Sequence, residues 1–192
     1  MKHIGTQNIE TNRLLLRPFR IDDAQSMYEN WANDPEVTKF LMWPVHESIE
    51  VSKAILVDWT SHYCERDYYQ WAIVLKENGD IPIGSISMVH KDDDIKMVHI
   101  GYCIGRKWWH KGITSEALQA IIKFFIIDVG MNRVESRHDH NNPNSGKVML
   151  KCGMKYEGTK REGDWNNQGI CDSSEYAIIA SEYYNIRIAK KE

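Results

Sequence analysis

The residues with the most chemical potential sit in one run, residues 100–117, IGYCIGRKWWHKGITSEA. An apolar stretch that reads as a strand is followed by Arg106, Lys107, His110 and Lys111, and a helical pattern begins at Gly112. The first amides of a helix have no intrahelical acceptor and carry the positive end of its dipole, so a basic loop at that point can cradle a phosphate. Gly112 would let such a group approach the backbone with no Cβ in the way. The spacing is neither G-x-x-x-x-G-K-[ST] nor G-x-G-x-x-G, so it specifies neither an ATP loop nor a dinucleotide site. An ordinary strand-to-helix connection with a solvated basic face fits the same residues, and both readings stay open on spacing alone. His138-x-His140 would put two imidazoles on one face of a strand, but no third ligand accompanies them and no metal site is expected.

Such a loop needs a sheet before it and helices around it. Residues 14–17 read as a short buried strand ended by Pro18, and Asp22 and Asp23 open a helix running to about Trp31. Ser48 opens a second helix with Val51, Ala54, Ile55 and Trp59 on one face. Residues 71–75 and 81–88 form a hairpin about Asn78-Gly79-Asp80, and the apolar parity slips at Gly84-Ser85, where a bulge is expected. Residues 97–104 are the strand that feeds the loop. The helix after it spans about 112–129, with Gly130 as its stop. Residues 133–139 are a strand by position. Asn142 as N-cap and Pro143 as first helical residue start another helix, which Gly153 closes, and residues 154–158 and 174–180 are two last strands. This order predicts an α/β (α+β) chain with one central sheet, and no repeat or linker divides residues 1–192 into more than one domain.

At 192 residues the chain can bury about 70% of its unfolded surface in a single core. A net charge of −3 offers no general field for nucleic acid. The longest apolar stretch, residues 121–129, is broken by Lys123 and Asp128 and is too short to span a bilayer; with no leader pattern at the start, a cytoplasmic protein without a membrane partner is expected. Cys64, Cys103, Cys152 and Cys171 are widely spaced, as buried thiols of a reducing compartment are.

Three runs in order carry a resemblance. Residues 11–18, TNRLLLRP, form an opening strand; residues 100–118 contain the basic loop; and Asn142-Pro143-Asn144-Ser145 precedes residues 151–158, KCGMKYEG. Together they resemble the GNAT N-acetyltransferases, in the branch typified by the ribosomal-protein N-terminal acetyltransferases RimJ and RimL, over roughly residues 9–182. The resemblance implies a GNAT-like domain whose central mixed, mostly antiparallel sheet splays between its fourth and fifth strands and is flanked by helices. It also implies acetyl-CoA as cosubstrate, with the pantetheine arm beside Cys103 and Ile104. The pyrophosphate falls on the amides of Trp109, His110, Lys111, Gly112, Ile113 and Thr114, and Asn142 and Ser145 lie along the pantetheine and near the sulfur. Three residues depart from the family's Q/R-x-x-G-x-G/A loop: Trp109 fills its first position, His110 stands where glycine is common, and Thr114 replaces the last small residue.

The implied chemistry is direct attack of an amine on the thioester, with an N–H on the splayed strand near Cys103 or Ile104 polarising the carbonyl. His99 stands where many relatives carry a glutamate that deprotonates the amine through water, and Glu135 is a second candidate; a structural strand histidine is the competing reading. Where many relatives place a tyrosine for the leaving thiolate this chain has Met149, which leaves Ser145 or a water to assist. Cys103 reads as core packing before it reads as a nucleophile. The expected acceptor is a protein or peptide N-terminal α-amine, with a small-molecule amine (polyamine, amino acid or aminoglycoside) or a non-catalytic acyl-CoA-binding module as alternatives. Residues 165–167 and some aromatic residues among Trp31, Phe40, Trp43, Trp59, Tyr63, Tyr68 and Tyr69 would wall the acceptor groove. Acidic Asp22, Asp23, Glu47, Glu50 and Asp172 would attract a cationic acceptor. A homodimer is left open.

Overall fold

Alternating apolar runs pair into one sheet in the computed structural model, which describes residues 1–189; the last three residues of the expected 1–192 domain lie outside the described ones. Its strands are β1 (Ile9–Glu10), β2 (Leu14–Arg17), β3 (Gln70–Leu75), β4 (Pro82–Asp92), β5 (Met97–Ile104), β6 (Arg133–Asp139), β7 (Lys155–Asn166) and β8 (Gly169–Ile179). Their spatial order is β1-β2-β3-β4-β5-β6-β8-β7. Neighbours run antiparallel except β5 and β6, which pair in parallel through Met97–Arg133, Val98–Val134 and His99–Glu135. Past His99 that ladder has no further register pair among the described residues; Ser136 Oγ donates to the Ile100 carbonyl at 2.7 Å and the strands part. The expected splay is therefore present. It falls between β5 and β6 because the two-residue β1, too short to signal itself in sequence, shifts the count by one.

Both faces of the sheet are covered, as β3 demonstrates: every one of its residues is buried. Trp71, Ile73 and Leu75 point into one core and Ala72 and Val74 into the other, the period-two alternation of a strand. The first core is closed by α4 (Ile113–Lys123), α5 (Pro143–Lys151) and α6 (Ala180–Ala189). The second is closed by α1 (Ala24–Met27), α2 (Pro35–Thr38) and α3 (Ile49–Ser61). Around α1 the single helix read from sequence winds in three ways, as 3-10 over Ile21–Asp23, α over Ala24–Met27 and π over Tyr28–Ala32. α4 ends in a π turn, Phe124–Val129, stopped by Gly130 at φ 84°.

Two local expectations are corrected and a third is qualified. Ile73 pairs with Gly84 and Val74 with Pro82, so the extra residue of the bulge is Ile83 rather than Gly84-Ser85; a second register slip, at Val89, was not expected. Asn142 is the N-cap residue of α5 and Pro143 its first residue, as expected, but the Asn142 side chain makes no cap hydrogen bond and its amide donates to the Asp139 carbonyl at 2.7 Å. The last strands are far longer than residues 154–158 and 174–180. Residues 159–173 lack apolar periodicity, but polar pairs across the hairpin hold them extended, including Thr159 with Ser174 at 3.0 Å and Lys160 with Glu175 at 3.2 Å.

Arg17 locks three segments together. Its buried guanidinium donates to Asp23 through Nη1 and Nη2 (2.8 and 2.9 Å), to Asp80 Oδ1 through Nε (2.6 Å), and to the Pro18 and Asp80 carbonyls. It thereby ties β2 to the first helical winding and to the β3–β4 turn. Arg17→Met would leave Asp23 buried without a counter-charge, and should cost about 3–5 kcal/mol in urea unfolding.

Candidate functional site

A groove of about 450 Å³ opens where β5 and β6 part. Tyr102, Cys103 and Ile104 form its floor, the loop before α4 and the first turn of α4 one wall, and the start of α5 the other. Strand geometry decides which backbone groups face it. Successive residues of a strand aim their N–H and C=O to opposite neighbours. The Ile100 carbonyl reaches Ser136 on the β6 side, and the Gly105 amide reaches Ile83 on the β4 side, so the backbone polar groups of Tyr102 face the gap. Those of Cys103 face β4, and the Ile104 carbonyl accepts from Trp109 Nε1 at 2.9 Å. The Ile104 N–H shares the orientation of Tyr102, so the unpaired N–H groups on this edge, among the described residues, are those of Tyr102 and of Ile104, the latter one of the two positions expected.

The candidate anion cradle lies at the N-terminus of α4. No side chain caps this helix, and the amides from His110 through Ser115 make no backbone hydrogen bond to another part of the described chain. Gly112 takes φ 70°, ψ 9°, left-handed territory that glycine enters without penalty. A Cβ placed on it would point at Lys151 Nζ, 3.6 Å away, and Arg13 Nη2, 3.7 Å away. The space over Gly112 is thus flanked by two cations above a turn of outward amides, a donor set suited to phosphates. His110, Gly112, Ile113 and Thr114 line the groove, as does Trp109, while Lys111 lines an adjoining groove on the other side of α4.

Two of the four basic residues singled out in sequence are turned aside. Arg106 pairs with Asp34 at 3.0 Å, and Lys107 lies over the Trp108 ring. Arg13 and Lys151 take their place, and neither was anticipated. Arg13 is held by Glu116, which accepts its Nε at 2.6 Å and its amide at 2.9 Å, while its Nη1 donates to the Lys111 carbonyl. The complementary pair Arg13 and Glu116 was present in the sequence as a signal, but 103 residues separate its members.

Asn142 and Ser145 line the groove as expected. Met149 is fully buried beneath α5. Tyr102 crosses from β5 to α5, its hydroxyl 3.1 Å from the Ser145 carbonyl and 2.9 Å from Ser145 Oγ. Cys103 is packed, its thiol 3.3 Å from Ser85 Oγ and pushed up in pKa by burial, which disfavours a nucleophilic thiolate.

His99 is not on the groove wall; it is buried at the last rung of the β5–β6 ladder. Its Nδ1 is 3.4 Å from Glu135 Oε1, and Nε2 has no hydrogen-bond partner among the described residues. His99 and the Arg133 guanidinium hold the Glu135 carboxyl down at about 2 against the opposing effect of burial. At neutral pH Glu135 is a poor base and a good orienting partner for the imidazole. His138 and His140 are engaged separately, with the Asp139 carbonyl and Ser174 Oγ.

No residue of the β7–β8 hairpin lines the groove, residues 165–167 included, but the β7–β8 turn is stapled to the segment that does. Asn167 Nδ2 donates to the Thr38 and Trp43 carbonyls, both at 2.8 Å, and its amide donates to the Leu41 carbonyl. Glu36, Lys39 and Phe40 from this stapled segment reach the groove, whereas Trp31 and Tyr69 are core. None of Asp22, Asp23, Glu47, Glu50 and Asp172 lines it. No helix among the described residues is long and apolar enough to cross a membrane.

Residues 13–155 match the acetyltransferase (GNAT) domain family. The chain is 26% identical over 177 residues to the uncharacterized N-acetyltransferase p20 of Bacillus licheniformis, covering 92% of this chain and 98% of that one. It is 29% identical over 139 residues to the ribosomal-protein-serine acetyltransferase of Escherichia coli, covering 72% and 76%. The structure of RimL, a ribosomal L7/L12 α-N-protein acetyltransferase in complex with coenzyme A, superposes with a TM-score of 0.80 at 20% identity, covering 92% of this chain and 99% of that one.

Two measurements test this geometry. His110 has φ 59°, a left-handed conformation that costs a residue with a Cβ about 1 kcal/mol. His110→Gly should therefore raise the melting temperature by about 2–4 °C. Glu135 titrates lower in the folded chain than its ordinary value of about 4.3, so its contribution to stability is complete above that pH and is lost as pH falls toward about 2. Across that window the melting temperature of the wild type should fall more steeply than that of Glu135→Gln.

Proposed function

The chain belongs to the GNAT acetyltransferases, enzymes that transfer acetyl from acetyl-CoA to an amine, and from that premise we propose that its acceptor is the N-terminal α-amine of a protein or peptide. The observation that carries this reading is the absence of a buried carboxylate base on the groove wall among the described residues, where the carboxylate present is Glu36 at the rim. An α-amine with a pKa near 7.8 is about one-seventh neutral at pH 7, so a weak base or a water suffices; a lysine near 10.4 costs about 4.6 kcal/mol to deprotonate. The E. coli relative named for ribosomal-protein serine acetylation supports the same acceptor class.

Acetyl-CoA supplies an activated thioester carbonyl. In our reading the outward amides of the first turn of α4, with Arg13 and Lys151, hold its phosphates. The exposed edge of β5 runs beside the pantetheine at Cys103 and Ile104, where the Ile104 N–H is the one that faces it, and the Tyr102 N–H polarises the carbonyl. Asn142 and Ser145 border the sulfur end, and His99, oriented by Glu135, draws the proton from the incoming amine through water. The stapled residues 38–43 and the β7–β8 tip form the entry for the acceptor chain. We place the protein in the cytoplasm, where acetyl-CoA meets reduced thiols.

Thiol release from acetyl-CoA, scored over N-terminal peptides, amino acids, polyamines and aminoglycosides, tests the assignment. Turnover should be confined to peptides with a free α-amine and vanish when that amine is blocked. Turnover on a polyamine or aminoglycoside with peptides silent would transfer the assignment to small molecules, and binding without turnover on any amine would make the protein an acyl-CoA-binding module.

A further inference from the structure

Three observations converge on one side chain of β5. The Tyr102 hydroxyl spans the splay to α5 and lies within hydrogen-bond distance of both oxygens of Ser145, Oγ at 2.9 Å and the carbonyl at 3.1 Å. Both residues line the groove, whereas Met149 is sealed in the core and can present nothing to the sulfur. The reach of Tyr102 depends on close packing of α5 on β6: a Cβ on Gly146 would stand 2.6 Å from His138 Nε2 and 3.0 Å from the Tyr176 hydroxyl. A larger residue there would have to displace the His138 or Tyr176 side chain or the helix turn that carries Ser145.

We propose that Tyr102 is the positioning residue for the leaving thiolate, donating its phenolic proton to Ser145 Oγ so that the Ser145 hydroxyl hydrogen points at the sulfur of CoA. The proposal rests on the reading above that Ser145 borders that sulfur. As the amine nitrogen bonds to the acetyl carbon, the carbon–sulfur bond breaks and its electron pair leaves on sulfur, where the Ser145 O–H donates to it. The proton that completes the free thiol is the one the acylated amine loses, so no further reactant is needed. Tyr102 itself stays neutral, since burial raises its pKa, and it acts as a fixed donor rather than an acid. The opposite arrangement, with Tyr102 donating to the Ser145 carbonyl and accepting from Ser145 Oγ–H, would withhold the serine proton from the sulfur. The two arrangements predict opposite effects when the phenol is removed.

The thiol of bound CoA reports the difference without requiring an acceptor. Its pKa is read from thiolate ultraviolet absorbance in complexes with wild type, Tyr102→Phe, Ser145→Ala and the double variant, with desulfo-CoA complexes as blanks. A hydrogen bond to a charged sulfur is worth about one pKa unit or more, so Ser145→Ala should raise the bound-thiol pKa by about that much. Tyr102→Phe should raise it by at least half as much, and the double variant should match Ser145→Ala, because the phenol acts only through the serine. In turnover with a peptide acceptor, Tyr102→Phe should lower kcat and leave the KM for acetyl-CoA unchanged. Should Tyr102→Phe fail to fold, 3-fluorotyrosine installed at position 102 serves instead; as a stronger donor it should lower the bound-thiol pKa below that of wild type. An unchanged or lowered pKa in Tyr102→Phe, or shifts that add in the double variant, would overturn the role of Tyr102 while leaving Ser145 in place. No shift in Ser145→Ala would remove Ser145 from the sulfur and the proposal with it, and failure of wild type to bind CoA would overturn the acetyl-CoA reading itself.

Discussion

The structure depends on where the parallel ladder between β5 and β6 stops. Up to His99 and Glu135 the two strands satisfy each other; beyond them β5 keeps its β4 partner and loses β6. A strand edge inside a protein carries unpaired backbone groups that need partners. Ser136 satisfies the Ile100 carbonyl and the Trp109 indole the Ile104 carbonyl, which leaves the polar groups of Tyr102 and the Ile104 N–H facing the gap. The gap is therefore a strand-shaped vacancy with part of its edge capped and the rest unpaired, suited to an extended molecule bearing amides. The helices on either side, α4 and α5, both start at its mouth, so the same parting that opens the edge aims two helix N-termini into one groove.

Charge follows the same geometry rather than the sequence. A chain of net charge −3 presents a cationic rim because pairing is selective: Asp34 neutralises Arg106, whereas Lys151 has no ion-pair partner among the described residues. Arg13 is the instructive case. Glu116 neutralises part of its charge yet fixes its direction, and a rigid guanidinium beside Gly112 loses less entropy on meeting a phosphate than a free lysine would.

Much of this architecture was legible in sequence because it rests on local patterns. The strand feeding the loop, the helix after it and the polar strand 133–139 follow from periodicity, glycine and proline placement, and position. The long β7–β8 hairpin was not legible, because cross-strand polar pairs hold it and a single chain segment does not advertise its partner. The cations that flank Gly112 were hidden for a related reason. Arg106 and Lys107 were conspicuous by adjacency, but side chains next to each other in a tight turn leave it in different directions. Arg13 and Lys151 meet at Gly112 only after the sheet and α5 have assembled. Tyr102 was visible only as part of a motif, since its significance lies in a contact to a residue 43 positions away.

The departures from the family's pattern become intelligible as a set. His110 holds a left-handed conformation that glycine would adopt without cost, which is the physical reason glycine is common there. Strain of this kind persists where surrounding contacts over-determine the backbone. Here the Trp109 indole is tied back to Ile104 and the Lys111 carbonyl to Arg13, so the residues on both sides of His110 are pinned. Met149 is the converse: an apolar residue in the core gives α5 a deep anchor, and the polar groups nearest it on the groove side are Ser145 of the same helix and Tyr102 of β5. With the helix anchored below by Met149 and held close to β6 by Gly146, the Ser145 hydroxyl is confined to a small volume beside Tyr102. Confinement matters more than acidity at such a position. A hydroxyl held in place pays little reorganisation when charge appears on sulfur, whereas a mobile one must first be ordered.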